Sequence, residues 1–189
     1  MIYFTSDLHL GHEAVIHMQN RPFSNAEDMN KQLIRNINSF VGTNDTLYIV
    51  GDISHRLSIE KSEELIKKIH GKKIFIKGNH DKDYDKSLFE FCDNYVELVY
   101  KGIKFDIMHY PLRSWNGMRH GAIQVHGHIH ATKEYNERNR EKGIYQYDVG
   151  VDANNYYPVS IEAIIDYFKD VPLIDFDNDY YEKELDYNN

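Results

Sequence analysis

The sequence is poor in several features that mark whole classes of protein. It has a single cysteine, Cys92, in 189 residues, which excludes an intramolecular disulfide framework. It contains no apolar run near the roughly 18 residues that a membrane span requires. Its first residues lack the basic region and the long apolar stretch of a signal peptide. We therefore expect a cytoplasmic protein with no membrane partner.

Positive charge is also scarce. The chain has 22 lysines and arginines against 30 aspartates and glutamates, which gives a formal net charge of -8. Proteins that bind nucleic acid usually carry a basic patch, so this balance counts against DNA or RNA as a partner. Bound divalent ions would reverse the local field, so the balance does not exclude nucleic acid, and it is compatible with a small phosphate ester.

Two common metal-binding patterns are missing. There are no cysteine pairs of the zinc-finger type and no helical His-Glu-x-x-His motif of metalloproteases. Histidine itself is abundant, with 11 residues. Five short polar motifs each follow a stretch with strand character: Asp7-x-His9, Gly51-Asp52, Gly78-Asn79-His80-Asp81, His109 and Gly127-His128-x-His130.

The spacing of apolar residues predicts strand–helix alternation followed by hairpin pairing. Strands are expected at 2–5, 46–50, 73–77, 95–100, 103–108, 122–126 and 144–150. Helices are expected at about 25–40, after a capping box at Ser24-x-x-Glu27, from Ser58 towards Gly71, and from Ser160 to Phe168. This order predicts an α/β fold with two mixed sheets packed face to face and helices outside.

The length and the 41% apolar composition suit one domain with a sizeable core. We expect a single domain over residues 1–170, followed by an acidic, tyrosine-rich tail at 171–189. A solvated tail is the simpler interpretation, and docking on the domain is the alternative.

The polar motifs share a position. Open α/β sheets bind ligands beyond the carboxyl ends of their strands, and each motif stands at such an end. Glycines beside Asp52, Asn79 and His128 suit close approach of the backbone to a ligand. Each motif is weak by itself, but the ordered set supplies enough oxygen and nitrogen donors for two adjacent divalent metals. Such centres hydrolyse phosphate esters.

In this order the motifs resemble those of the calcineurin-like metallophosphoesterase superfamily. The chain is also similar to the small single-domain members of bacteria and phages, which share the stretch ending at Arg21-Pro22-Phe23, the loop from His109 to Trp115 and the segment 148–152. The resemblance implies a four-layer α/β/β/α sandwich.

The resemblance also implies roles for the motif residues. One metal would be held by Asp7, His9 and His130, the other by Asn79, His109 and His128, with Asp52 bridging both and a bridging water or hydroxide as nucleophile. His80 would protonate the leaving oxygen or stabilise the transition state, and Asp81 is a candidate to orient it. Oxygen and nitrogen donors without thiolate suit Mn, Fe, Zn, Ni or Co, with Mg as a further candidate, and the resemblance favours Mn.

Five residues outside the metal motifs are candidate substrate contacts: Arg113, Trp115, Arg21, His12 and His55. A guanidinium can clamp phosphate oxygens, and an indole can stack on a base. The two histidines are close in sequence to Asp7 and Asp52. For each residue the alternative is an ordinary role as a solvated, packed or second-layer side chain.

These features together predict a metal-dependent phosphoric ester hydrolase. Its substrate would be a small phosphomonoester or phosphodiester, for example a nucleotide. A nuclease with the same metal centre is the alternative. A non-catalytic scaffold on this fold and a phosphoprotein phosphatase are weaker alternatives, since all ligands and His80 are present and regulatory extensions are not.

Overall fold

A computed structural model of the chain describes residues 1–176. The described strands are β1 (Ile2–Thr5), β2 (Thr46–Val50), β3 (Lys72–Ile76), β4 (Phe91–Asp93), β5 (Tyr95–Tyr100), β6 (Ile103–Met108), β7 (Ile123–His126), β8 (Gln146–Asp148) and β9 (Val159–Ser160). The described helices are α1 (Glu13–Met18), α2 (Ala26–Phe40), α3 (Ile59–Ile66), α4 (Lys133–Glu141) and α5 (Ile161–Phe168). None of them is long and apolar enough to cross a membrane.

The strands form two mixed sheets, as predicted. The first has the order β4-β3-β2-β1-β9, with β9 antiparallel to β1 and the other pairs parallel. The second has the order β5-β6-β7-β8, in which only the β5–β6 pair is antiparallel. The parallel strands place the carboxyl ends of β1, β2 and β3 at one edge of the first sheet, and those of β6 and β7 at one edge of the second.

Side-chain alternation along β2 separates two cores. Leu47 and Ile49 pack with α1, α2 and α3 on the outer face of the first sheet. Tyr48 and Val50 pack against Phe105, the second sheet and α5. Helix α4 lies on β8 of the second sheet. These layers confirm the predicted four-layer α/β/β/α sandwich.

Two of the three predicted helix caps are confirmed, and the third is shifted by one residue. Ser58 and Ser160 cap α3 and α5 by accepting backbone N–H groups of the first turn. Helix α2 is capped by Asn25, which accepts the N–H of Asp28, instead of by Ser24. Asparagine at this position caps as well as serine, so the motif begins one residue later than predicted.

Two helices escaped prediction because they lack an apolar stripe of useful length. Helix α1 has six residues, which is less than two turns. Helix α4 is almost entirely polar and packs through amides: Asn136 exchanges hydrogen bonds with the backbone of Asp148, and Asn139 donates to Gln146. Amide packing leaves no hydrophobic periodicity to detect.

The domain extends past the predicted boundary at residue 170. The N–H of Ile174 donates to the carbonyl of Gly143 at 3.0 Å. Phe176 is 5% exposed and packs with Trp115 and Met118. Residues 171–176 are therefore part of the fold, because Leu173, Ile174 and Phe176 pack with the loop that carries Trp115 and Met118. The rest of the predicted tail, 177–189, lies outside the described residues.

Candidate metal centre

The loops after β1, β2, β6 and β7 are joined by backbone hydrogen bonds at the sheet edges. The N–H groups of Asp7 and His9 donate to the carbonyls of Gly51 and Asp52. The N–H of Gly127 donates to the carbonyl of His109. These bonds join four of the five predicted motifs in two pairs. The N–H of His128 donates to Asp7 and connects the pairs, and the N–H of Asp52 donates to Asp81 of the fifth motif. The five motifs therefore meet in one place, as expected for polar residues that follow strands.

The backbone of this region is strained. Among the described residues, eleven non-glycine positions have positive φ angles, and five of these are predicted metal ligands: Asp7, His9, Asp52, His128 and His130. A left-handed conformation costs roughly 1–3 kcal/mol for such a residue and persists where the surroundings enforce it, typically at functional sites. The left-handed conformation directs these side chains towards the centre, and the cost is backbone strain.

A first donor group consists of Asp7, His9 and His130, with one ligand atom of each within 4.8 Å of the others. The Nε2 atoms of His9 and His130 are 3.0 Å apart. They lie 4.0 and 3.9 Å from Oδ1 of Asp7. This is the set of residues predicted for the first metal.

A second donor group surrounds Asn79. Its Oδ1 lies 3.0 Å from Nε2 of His109 and 2.9 Å from Nδ1 of His128. Oδ2 of Asp52 lies 3.6 Å from Nε2 of His109 and 3.5 Å from Nε2 of His9. Asp52 thus stands between the two groups. The structure brings all seven predicted ligands together.

The buried polar atoms of the centre fit divalent cations. Asp7 and Asp52 are 0% and 1% exposed. Oδ1 of Asp7 and Nδ1 of His9 are buried and have no hydrogen-bond partner among the described residues. Burial raises the pKa of Asp7, because an unpaired carboxylate is costly away from water. A dication would supply the missing charge and a partner for Oδ1 of Asp7.

The imidazole of His9 is in the form that binds metal. Burial lowers its pKa to about 2, and the nearby His130 and Arg21 act in the same direction. A neutral ring keeps a lone pair for coordination. A Cβ atom on Gly127 would lie 2.3 Å from Oδ2 of Asp7, and one on Gly78 would lie 2.3 Å from Oδ1 of Asp52. The absence of a side chain at these two positions therefore leaves room for the Asp7 and Asp52 carboxylates.

His80 lies at the exposed rim of the centre. Its backbone N–H donates to Oδ1 of Asp52 at 2.9 Å, and its ring centre is 5.4 Å from that of His9. The Asp81 carboxylate instead accepts the backbone N–H groups of Gly78, Asp52 and Ile53 at 2.7–2.9 Å. The expectation that Asp81 orients the His80 ring is therefore corrected: Asp81 fixes the two ligand-bearing loops to each other.

The prediction that Arg21 contacts substrate is wrong. Its side chain is fully buried and forms a two-pronged ion pair with Asp152, at 2.8 Å for each hydrogen bond. It also donates to the carbonyl oxygens of Asp7 and Leu8. Arg21 lies beneath the centre because its guanidinium satisfies the carbonyls of the strained Asp7 loop.

Asp152 is the residue that the sequence analysis missed. Its Oδ2 lies 2.8 Å from Nδ1 of His130, whose Nε2 faces Asp7. Although burial acts to raise it, hydrogen bonds from His130 and Arg21 hold the pKa of Asp152 below its ordinary value. A carboxylate behind a ligating histidine fixes its tautomer and ring orientation. The only sequence signal was its place in the segment 148–152, shared with the small family members.

Replacing Asp152 with asparagine is expected to weaken metal binding by about 10- to 100-fold, the usual cost of losing a carboxylate behind a ligating histidine. Competition with a chromogenic chelator would measure this. Asp166→Asn, an exposed change in α5, is the matched control. An unchanged metal affinity, in a variant whose circular dichroism matches that of the parent protein, would contradict the role given to Asp152.

The other predicted substrate contacts differ in exposure and in distance from the centre. Trp115 is 8% exposed, donates from Nε1 to the carbonyl of Ala122 and packs with Met118, so the prediction that it stacks on substrate is wrong. Arg113 is exposed in the loop after His109. His12 and His55 lie beside the centre, with ring centres 5.7 and 6.0 Å from that of His9.

A family model for calcineurin-like phosphoesterases matches residues 1–184. The chain belongs to the calcineurin-like phosphoesterase family. It is therefore a phosphoric ester hydrolase of the class that uses divalent metal ions, and the donor groups described above are where such ions can bind. The predicted superfamily and enzyme class are confirmed.

Similar proteins are found in three different organisms. It is 39% identical over 168 residues to the uncharacterized protein MJ1445 of Methanocaldococcus jannaschii, covering 87% of this chain and 89% of that protein. It is 27% identical over 182 residues to the Gene 66 protein of Mycobacterium phage L5, covering 80% and 86%. The crystal structure of AQ665 from Aquifex aeolicus, a protein of unknown function, has a TM-score of 0.69 at 26% identity and covers 88% of this chain and 98% of its own.

Proposed function

We propose that this phosphoesterase uses two divalent ions to hydrolyse a small phosphomonoester or phosphodiester, such as a nucleotide. The observation that carries the proposal is the position of Asp52 between two complete donor groups. Carboxylates, an amide oxygen and imidazoles suit Mn, Fe, Zn, Ni or Co, and manganese is the first candidate because the family resemblance favours it.

One ion is assigned to Asp7, His9 and His130, the other to Asn79, His109 and His128, with Asp52 shared. When bound, such a pair supplies a nucleophile from water at neutral pH and neutralises charge on the phosphoryl oxygens.

Hydrogen bonds to the Nδ1 atoms orient two of the histidine rings. Nδ1 of His109 is 2.9 Å from the carbonyl of Val50, and Nδ1 of His130 is paired with Asp152. Each contact directs Nε2 of the ring to the centre. Because these rings are held before substrate arrives, little reorganisation is needed during the reaction.

His80 is assigned as the proton donor to the leaving oxygen. It lies at the open side of the centre, in neither donor group, and its backbone is tied to Asp52. An imidazole can donate and accept a proton near neutral pH, which suits this task. Arg113, exposed after His109, is proposed to contact a phosphoryl oxygen.

The test is hydrolysis of p-nitrophenyl phosphate and bis-p-nitrophenyl phosphate, each with Mn²⁺ and with EDTA. We expect turnover of at least one ester with Mn²⁺ and none with EDTA. A single-stranded oligonucleotide tested in parallel distinguishes the nuclease alternative. Absence of turnover for all three, in protein with two bound metals per chain, would contradict the proposal and favour a scaffold.

A further inference from the structure

A cluster of three side chains beside the centre, those of His12, His55 and Arg56, has no part in the proposed mechanism. The ring of His55 lies 4.3 Å from that of His12 and 4.4 Å from that of His80, measured between ring centres. Arg56 follows directly and is exposed. The cluster therefore lies on the His80 side of the centre, next to His9.

Backbone contacts hold the two histidine-bearing loops together. The N–H of Leu10 donates to the carbonyl of Ile53 at 2.9 Å, and the N–H of His55 donates to that of Leu10 at 3.1 Å. Lys82 donates to the carbonyl of Leu57 and secures the loop after Arg56. The two loops that carry these rings are thus fixed to each other.

One ring nitrogen of the cluster has no partner in the described part of the chain. Nδ1 of His12 is buried and has no hydrogen-bond partner among the described residues. The carboxylate beside it, that of Glu13, is turned away and accepts the N–H of Ala26 at 2.6 Å. Arg56 has a left-handed backbone, with φ 60°, a strain that is typical of functional positions. Imidazole N–H groups and a guanidinium fork suit a tetrahedral oxyanion.

We infer that His12, His55 and Arg56 bind a second phosphoryl group of the substrate, carried by its leaving group. This inference rests on the proposed function. The role of His80 as donor to the leaving oxygen places the leaving group on the side of the centre where the cluster lies. The ring of His55 is only 6.0 Å from that of His9, so the second phosphoryl group must be attached close to the first. The substrate class is therefore a small phosphate ester whose leaving group carries a second phosphoryl group close to the scissile bond, such as a nucleoside bisphosphate.

Calorimetry with two probes tests the inference without turnover. Imidodiphosphate carries two phosphoryl groups and inorganic phosphate carries one, and each is titrated into Mn²⁺-loaded protein at fixed free Mn²⁺. We expect imidodiphosphate to bind at least about tenfold more tightly, because a hydrogen bond to a charged group contributes that much. Equal affinities would overturn the inference.

Variants localise the effect. His55→Asn and Arg56→Gln are each expected to remove most of the imidodiphosphate preference while phosphate affinity changes by less than about threefold. The exposed changes His70→Asn and Arg35→Gln are matched controls and should retain the preference. Equal weakening of both probes, or preference retained in the His55 and Arg56 variants, would overturn the inference.

The two proposals can fail separately. Metal-dependent hydrolysis of p-nitrophenyl phosphate without an imidodiphosphate preference would refute the second phosphoryl site and leave the proposed function standing. A preference that depends on His55 and Arg56, in protein that hydrolyses no ester, would support the anion site and refute the proposed function.

Discussion

Replacing Asp52 with asparagine is expected to remove bound metal and phosphoesterase activity together. The Asp52 carboxylate is buried between the two donor groups, within 3.6 Å of His9 and His109. Loss of a residue behind a ligand costs about 10- to 100-fold in affinity, so loss of a shared ligand should cost at least the upper figure. Metal analysis after dialysis and turnover of the two p-nitrophenyl esters would measure both effects.

A matched control separates this effect from the general loss of a carboxylate. Asp83→Asn makes the same chemical change two residues after Asp81, but Asp83 is highly exposed and pairs with the surface residue Lys77. It should keep two metals and normal turnover. If Asp52→Asn kept two metals and full activity, the bridging assignment would be wrong.

The clustering of the polar motifs was predictable because of the way strands end, whereas the role of each residue as a metal ligand was implied by the family resemblance. A polar residue that follows a buried strand within one or two positions, as Asp52 after β2 or His109 after β6, lies beyond the end of the strand at the sheet edge. Parallel pairing brings such ends together without further information. The site was therefore encoded locally, strand by strand.

The residues around the ligands were not predictable in this way. Arg21, Trp115 and Asp152 each have a role set by contacts with residues far away in sequence or with a folded loop: Arg21 with Asp152, 131 positions later, and Trp115 with Phe176. A buried arginine and a substrate-binding arginine look alike in sequence. Only the presence of a buried carboxylate partner distinguishes them.

Replacing His80 with alanine is expected to lower turnover by roughly 10²–10⁴-fold, the usual range for general acid–base help, while leaving metal content unchanged. Metal is retained because His80 belongs to neither donor group. The loss should depend on the leaving group. An alkoxide must be protonated as it departs, whereas p-nitrophenolate is stable without a proton, so an alkyl phosphate should suffer the larger loss. Turnover of both esters would measure this.

His70→Ala, at an exposed position, is the matched control and should behave like the parent protein. Three results for His80→Ala have different meanings. A larger loss for the alkyl ester identifies proton donation to the leaving oxygen. An equal loss for both esters indicates that the imidazole stabilises the transition state without transferring a proton. Loss of metal would show that His80 is a ligand, and its assigned role would then be wrong, because the centre would contain a donor outside the two groups that the structure defines.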